Sequence, residues 1–296
     1  MLTRLFRPRA VRTTEPVVLD DVTADPQLRA LVEGISRRFG ERIDAIFLYG
    51  SWRRGRRDTM PDFYVLLDRY PKGWRYWLGR VLPPTVLVQK SAALRAKVTI
   101  LTTAQLLDAV NSDFHPYFRA RFAQPTPLVY ARNTTLQALA CDICALAQRR
   151  LMETVGRCWP SGSLPASAMF WQHTFRLTYG AELRSESAAK IAELYLADIA
   201  YYDALYAAFM GVHAEARQSS WWANLSWRCR QLVGKVFSGL RIIKSALTFD
   251  DPLDYLAWKV GRQSGVLLEP SDRARRWPLV FGWGYVWRLY RLGGFR

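Results

Sequence analysis

The stretch that decides the fold is AIFLYGSWRRGRRDTMPDFYVLLD, residues 45–68. It predicts two short strands, because apolar runs rich in strand-forming residues occupy 45–49 and 63–67. Between these runs, Gly50-Ser51 predicts a tight turn that leads into a basic loop, and Asp62 opens the second strand. If the two strands pair, the Asp62 carboxylate lies beside the turn.

A glycine-serine turn next to a carboxylate is suited to binding phosphate together with a metal ion. Glycine lets a backbone N–H approach a phosphate closely, and the Ser51 hydroxyl adds a second donor. A carboxylate such as that of Asp62 can hold Mg²⁺, which neutralises phosphate oxygens. These groups are the minimal equipment for moving a nucleotidyl group. A plain tight turn and an aspartate that only caps a loop are the alternatives.

The order of apolar strand, Gly50-Ser51, ten intervening residues and Asp62 resembles the DNA-polymerase-β-like nucleotidyltransferase fold. Most families of that fold place a second carboxylate two residues after the first, where strand alternation directs both toward the same ions. In this chain that position is Tyr64. The resemblance therefore implies either a catalytically silent site or a second metal ligand from another part of the chain.

Several further segments, in matching order and spacing, resemble the mitochondrial-type phosphatidate cytidylyltransferases, the translocator assembly and maintenance family, and in particular a bacterial branch of it. The segments are Tyr49-Gly50-Ser51, Met60-Pro61-Asp62-Phe63, Lys97–Thr103 and Leu177–Arg184, with looser matches at Tyr117, Arg121 and Pro125. The resemblance runs from about residue 40 to residue 275.

That resemblance implies an enzyme that transfers CMP from CTP to phosphatidate, giving CDP-diacylglycerol and pyrophosphate. It implies Mg²⁺ or another divalent cation as cofactor, phosphatidate in an anionic membrane as partner, and no specific nucleic acid. The expected location is the bacterial cytoplasm, peripheral on the inner face of the cytoplasmic membrane; the matrix side of the mitochondrial inner membrane is the alternative. Other functions that stay open are nucleotidyl transfer to a small molecule or RNA, and a silent relative that binds anionic lipid or nucleic acid.

The family match assigns roles to individual side chains. Asp62 and Lys97 are the expected catalytic residues: Asp62 as a metal ligand, and Lys97, at the start of a later strand, in contact with phosphate. Glu182 is the candidate to replace the missing strand carboxylate at the metal. The remaining candidates are Gly50, Ser51, Arg53, Arg54, Tyr179 and Arg184 for the nucleotide, and Arg56, Arg57 and Arg121 for lipid or other phosphate. For the charged candidates, ordinary surface charges or ion pairs are the alternative.

Composition predicts a polyanionic partner. The chain has 296 residues and a formal net charge of +17, with 12 tryptophans. Such a balance favours nucleic acid, nucleotides or an acidic membrane face. Tryptophan and tyrosine beside arginine are typical of a lipid interface, but they also suit base stacking on single strands. No apolar run reaches the length of about 18 residues that a transmembrane helix needs.

The pattern along the chain predicts an α+β fold. A basic tail at 1–24 precedes a nucleotidyltransferase domain with a small mixed sheet at 25–132. A mainly helical domain follows at 133–274, and a basic aromatic tail at 275–296. Strands are expected at 45–49, 62–67, 86–89 and 97–101, and helices at 25–42, 75–81, 103–110, 134–155, 169–179, 185–209, 221–247 and 254–261.

Two C-terminal segments can each be interpreted either as a membrane contact or as packing on the protein itself. Segment 221–247 predicts an amphipathic helix that either lies on a lipid surface or packs its apolar face on the core and leaves a solvated basic face. In the tail, Gly282 and Gly284 argue against a regular helix. The tail's alternation of aromatic and basic residues favours membrane contact over covering an apolar patch.

Overall fold

The computed structural model of the protein describes residues 25–91, 94–112, 114, 116–159, 165–183, 187–212, 221–248 and 252–292. The predicted N-terminal tail and Arg184 lie outside these ranges.

In the described part of the chain, five strands form one mixed sheet. They are β1 (Ile43–Tyr49), β2 (Asp62–Leu67), β3 (Thr85–Lys90), β4 (Arg95–Thr102) and β5 (Leu128–Ala131), in the order β3-β4-β2-β1-β5. β2 and β4 are parallel, while the other neighbouring pairs are antiparallel. The predicted strands 45–49 and 62–67 are confirmed as an antiparallel pair.

Helices surround and follow the sheet. They are α1 (Pro26–Phe39), α2 (Trp74–Val81), α3 (Thr103–Asn111), α4 (Tyr117–Phe122), α5 (Thr134–Gly156), α6 (Ser167–Tyr179), α7 (Ala188–Leu196), α8 (Ile199–Val212), α9 (Trp221–Thr248), α10 (Pro252–Ser264), α11 (Asp272–Arg276) and α12 (Pro278–Arg291). The predicted α+β class is confirmed.

The strands divide their side chains between two apolar layers, as alternation requires. One layer contains α1 and the strand residues Ile46, Leu48, Phe63 and Val65. The other contains α3, α4 and α5 with the strand residues Ala45, Phe47, Tyr64 and Leu66. Helices of the described region therefore cover both faces of the sheet.

Helix α5 joins the sheet to the helical region. Its first half, with Ala140 and Ile143, packs in the layer on the sheet. Its second half, with Leu151 and Val155, belongs to a separate aromatic core that includes Trp171. One continuous helix thus fixes the helical region against the strands.

Two expectations for secondary structure are wrong. Segment 185–209 is not one helix: α7 and α8 are separated at Asp198, whose carboxylate accepts a hydrogen bond from Arg53 across the molecule. Within the described part of the tail, Pro278–Arg291 forms a regular helix, α12, although it contains Gly282 and Gly284. Gly282 is buried there, and an added Cβ would lie 3.4 Å from Leu253 of α10, so close helix packing explains this glycine.

Helix α9 exposes the apolar face that one of the two interpretations expected to be buried. Its apolar residues Leu232, Val236 and Ile243 are 67%, 63% and 61% exposed. Its basic residues Arg241 and Lys244 face inward, so the interpretation with a core-packed apolar face is wrong. Among the described helices, none combines the length and the apolar character required to cross a bilayer.

The inner face of α9 is held by hydrogen bonds to the segment that follows α2. Arg241 donates from Nε to the Pro83 carbonyl over 2.9 Å. The buried Lys244 ammonium donates to the carbonyls of Leu82 and Pro84. These contacts pair cations with backbone carbonyls, including one at the C-terminal end of α2, where positive charge is favoured.

Substitution of Lys244 by Met tests this buried contact. Burial, reinforced by Arg241, lowers the pKa of Lys244 to about 8. Above that pH the native protein releases a proton that the unfolded chain retains, so stability rises with pH. We expect the wild type to gain about 2 kcal/mol of unfolding free energy between pH 7 and pH 9.5 relative to Lys244→Met. Urea unfolding of both proteins at the two pH values measures the difference; equal gains would contradict the assignment.

Candidate active site

Gly50 and Asp62 converge at one end of the β1–β2 pair. The register places Tyr49 opposite Asp62, so the chain turns at Gly50 beside the carboxylate. Gly50 has φ +88°, and a Cβ added to it would lie 2.9 Å from Asp62 Oδ2. A side chain at position 50 would therefore occupy the space next to the carboxylate, and the backbone conformation also favours glycine.

The parallel pairing of β2 with β4 places Lys97 next to Asp62. Asp62 of β2 and Lys97 of β4 are register partners, and Lys97 Nζ lies 3.1 Å from Asp62 Oδ1. The neighbouring Asp62 carboxylate raises the pKa of Lys97, which keeps the ammonium charged. Both side chains remain partly exposed, at 40% for Lys97 and 29% for Asp62. A ligand can therefore reach this pair from solvent.

The position two residues after Asp62 is filled by an aromatic core residue. Tyr64 is 3% exposed, and its ring centroid lies 5.7 Å from that of Tyr49 and 5.1 Å from that of Phe122. Burial raises the pKa of both Tyr49 and Tyr64 well above the ordinary value, so both phenols stay neutral. In place of a second strand carboxylate, this chain has tyrosines that secure α4 against the sheet.

Arg121 and Arg241 both contact the ring of Tyr117, which lies near the Asp62–Lys97 pair. Arg121 Cζ lies 3.7 Å from the centroid of the Tyr117 ring, and Arg241 Cζ lies 4.4 Å from the same centroid. Tyr117 and Arg121 also act electrostatically on Lys97. Within the described residues, the buried Arg241 Nη1 has no hydrogen-bond acceptor. The positive charge of Lys97, Arg121 and Arg241 thus gathers around a single tyrosine.

Arg241 was not a candidate from the sequence. It belongs to α9, far along the chain from the glycine-serine turn, and no local motif marks it. The only available signal was the basic face of that helix, which the sequence interpretation left exposed to lipid or solvent. Its role depends on which face of α9 packs inward, and that is a property of the folded molecule.

Glu182 and Tyr179 lie on the other side of Arg121. Glu182 Oε1 accepts a hydrogen bond from Arg121 Nη1 at 2.7 Å, in an ion pair that is mostly shielded from solvent. The Tyr179 hydroxyl accepts from Gln124 Nε2 at 3.2 Å. Here Glu182 orients Arg121, and its service as a metal ligand stays a prediction.

Asp62 is the side chain that would hold a divalent cation, if the phosphates of a nucleotide supplied the other ligands. In the described part of the chain, no three His, Cys, Asp or Glu side chains converge to form a complete cage. Mg²⁺ in phosphate-transfer sites is commonly held by one or two carboxylates and by the substrate's own oxygens. Asp62 supplies one such carboxylate at an accessible position.

The loop arginines are directed mainly to protein partners. Arg53 pairs with Asp198, and Arg56 lies 3.4 Å from Asp58. Arg57 donates to the Trp52 carbonyl over 2.8 Å and stacks on that residue's ring. Arg54 and Arg56 act electrostatically on Glu193 of α7. The structure does not bring these candidates into contact with Asp62.

The glycine-serine turn is fixed by the buried Trp52 side chain and by a hydrogen bond between Ser51 and Thr59. Trp52 is 2% exposed and packs with the sheet layer that contains α1. The Ser51 and Thr59 hydroxyls lie 2.9 Å apart and share a hydrogen bond. This anchoring keeps the loop's large side chain in the core and out of the space beside Asp62.

No protein-family model matches the sequence, and no curated protein matches it. A solved structure of a nucleotidyltransferase-like protein from Exiguobacterium sibiricum matches over 90% of this chain and 91% of that chain. The two sequences are 9% identical, and the TM-score is 0.28. At this identity and TM-score, the chemistry of this chain has to be inferred from its own side chains.

Gly50→Ala tests the convergence, with Gly55→Ala as a matched control. Both glycines have positive φ, +88° and +84°, but only at Gly50 would a Cβ meet Asp62. We expect each substitution to cost about 1 kcal/mol of stability for the backbone alone. Only Gly50→Ala should also weaken binding of a nucleoside triphosphate with Mg²⁺, by about tenfold. Calorimetric titration and urea unfolding measure the two effects; equal affinities in the two variants would contradict the site.

Proposed function

We propose that the protein is a nucleotidyltransferase that transfers CMP from CTP to phosphatidate at a membrane surface and releases pyrophosphate. The observation that carries the proposal is the convergence of Gly50 with the Asp62–Lys97 pair, where Lys97 Nζ lies 3.1 Å from Asp62 Oδ1. The choice of CTP and phosphatidate rests on the resemblance to the phosphatidate cytidylyltransferases in the segments around residues 49–63, 97–103 and 177–184.

The donor nucleotide binds where the chain can approach phosphate most closely. We assign backbone N–H groups of the Gly50-Ser51 turn to the triphosphate, because the turn is free of a Cβ at position 50. Asp62 would hold a divalent cation, which would supply charge neutralisation for the phosphate oxygens. Lys97 adds a positive charge beside the carboxylate, and that carboxylate raises the pKa of Lys97. The pair thus balances its own charge before a nucleotide arrives.

The reaction needs charge neutralisation and alignment more than it needs a base. An oxygen of the phosphatidate monoester, already ionised, attacks the α-phosphorus of CTP and forms a new P–O bond. The bond from that phosphorus to the bridging oxygen breaks, and pyrophosphate leaves with the electron pair. Because both reactants are polyanions, the chief barrier is their mutual repulsion, and fixed cations lower it.

Arg121 and Arg241 are the side chains that we assign to the acceptor phosphate. Both contact Tyr117, and Arg241 carries a buried nitrogen without an acceptor among the described residues. Guanidinium groups bind phosphate through paired charge-assisted hydrogen bonds. Glu182 holds Arg121 in position through its 2.7 Å hydrogen bond. Arg121 and Arg241 neutralise the acceptor phosphate, and Lys97 neutralises charge on the donor.

Turnover by the wild type is tested through pyrophosphate release from CTP in the presence of phosphatidate vesicles. Turnover with vesicles supports the proposal. Turnover only with a soluble phosphate or an RNA acceptor would redirect it to another nucleotidyltransferase, and no turnover with any acceptor would refute it.

Asp62→Asn is the first variant to compare, with Asp68→Asn as its control. Asp68 follows the same strand but lies beyond its far end, away from the turn. We expect Asp62→Asn to lower turnover by at least about a hundredfold, because the neutral amide binds the cation poorly. Asp68→Asn should retain wild-type turnover. An active Asp62→Asn protein would exclude the assigned site.

Arg241→Gln tests the acceptor assignment, with Arg230→Gln on the same helix as control. Arg230 bonds to Ser226 and lies over Trp227 instead of Tyr117. We expect Arg241→Gln to raise the KM for phosphatidate about tenfold with little change in the KM for CTP. Arg230→Gln should leave both values unchanged. A loss confined to CTP binding would place Arg241 at the donor.

A further inference from the structure

Most tryptophans of this protein are on its surface. Seven of the 12 in the sequence are at least 57% exposed: Trp74, Trp77, Trp221, Trp222, Trp277, Trp283 and Trp287. They lie on α2, on α9, or on α12 and the residue that precedes it. Tryptophan is a large apolar side chain, and exposed apolar surface gathered on a few elements marks an interaction site.

Each of these helices presents an exposed apolar stripe at three-, four- or seven-residue spacing. On α2 the stripe is Trp74, Trp77 and Val81; on α12 it is Val280, Trp283, Trp287 and Tyr290. On α9 it is Leu225, Leu232, Val236, Leu240 and Ile243. This spacing keeps each set on one side of its helix. Helix α9 contacts both α2 and α12, so the three helices form a neighbouring group.

Each of these three helices packs on the protein through residues other than those of its exposed stripe. Helix α9 is fixed to the body through Arg241 and Lys244. Helix α12 buries Tyr285 and Leu289. Helix α2 is held by the Tyr70 hydroxyl, which donates to the Gly79 carbonyl over 3.1 Å. The exposed stripes are therefore surplus to the packing of the described residues.

Charge selects the partner. None of the three helices contains an aspartate or glutamate, although α9 alone has 28 residues. Exposed cations accompany the stripes, including Arg228 and Lys235 on α9 and Arg288 on α12. Apolar and aromatic side chains enter the acyl boundary of a bilayer while arginine and lysine meet lipid phosphates. An anionic bilayer satisfies both groups at once.

We propose that the exposed stripes of α2, α9 and α12 form a docking surface for an anionic lipid bilayer. Helix α9 would then have two roles: its outer stripe contacts lipid, and its inner face places Arg241 at Tyr117. That second role rests on the proposed function, whereas docking itself does not. A lipid acceptor would reach the candidate site along the same helix that holds the protein on the membrane.

Vesicle co-sedimentation without CTP tests the surface. The probes are phosphatidylcholine vesicles with and without phosphatidylglycerol. Val236→Ser/Ile243→Ser removes two stripe residues, exposed at 63% and 61%, and Met169→Ser/Leu196→Ser removes two matched residues, exposed at 60% and 62%, from α6 and α7. We expect the first double variant to lower the partition coefficient on anionic vesicles at least about tenfold. The control should bind like the wild type.

A second vesicle-binding experiment removes positive charge from α9. Arg228→Gln/Lys235→Gln should weaken binding to anionic vesicles about tenfold at low salt and leave the weaker binding to neutral vesicles unchanged. Equal binding of the stripe variant and its control, or no preference of the wild type for anionic vesicles, would overturn the proposal. If the stripe substitutions abolish self-association, measured by light scattering, and leave vesicle binding intact, the surface belongs to a second copy.

These assays distinguish a failure of the docking proposal from a failure of the proposed function. Vesicle binding without turnover on any acceptor would refute the proposed function and retain the docking surface. Turnover with a soluble acceptor and no vesicle binding by the wild type would refute the docking surface and retain the transferase.

Discussion

The parallel pairing of β2 with β4 is the constraint on which the site depends. It sets Asp62 beside Lys97, with 3.1 Å between Oδ1 and Nζ, at the end of the sheet where β1 turns at Gly50. Both side chains project to the face that α4 covers, because strand alternation leaves the opposite face to α1. A shift of one residue in either strand would move that strand's charged side chain to the opposite face and separate Asp62 from Lys97.

Positive charge is concentrated around the Asp62–Lys97 pair. Arg121 and Arg241 both contact Tyr117, and Glu182 holds Arg121 over 2.7 Å. The helical region is thus more than a scaffold, since α6 leads into Glu182 and α9 contributes Arg241. Helix α9 also presents an apolar outer face, so the same element connects the candidate site with the protein surface.

Sequence reasoning succeeded where signals are local. The two strands around Gly50-Ser51, the strand predicted at 97–101 and most helices follow from apolar runs and helical spacing. It failed at α4, whose six residues are too few to show a period although they carry Tyr117 and Arg121. It also failed at Asp198, where an ion pair with Arg53 accompanies the division of a predicted helix.

By itself, the sequence determined the α+β class, the glycine-serine turn beside an aspartate, and the amphipathic pattern of α9. Only the tertiary structure decided that Glu182 pairs with Arg121, that Arg241 reaches Tyr117, and that the apolar side of α9 faces outward. The physical reason is that periodicity reports two faces of a helix without stating which one is buried. That choice depends on distant partners, here the carbonyls of Leu82, Pro83 and Pro84, which local spacing does not encode.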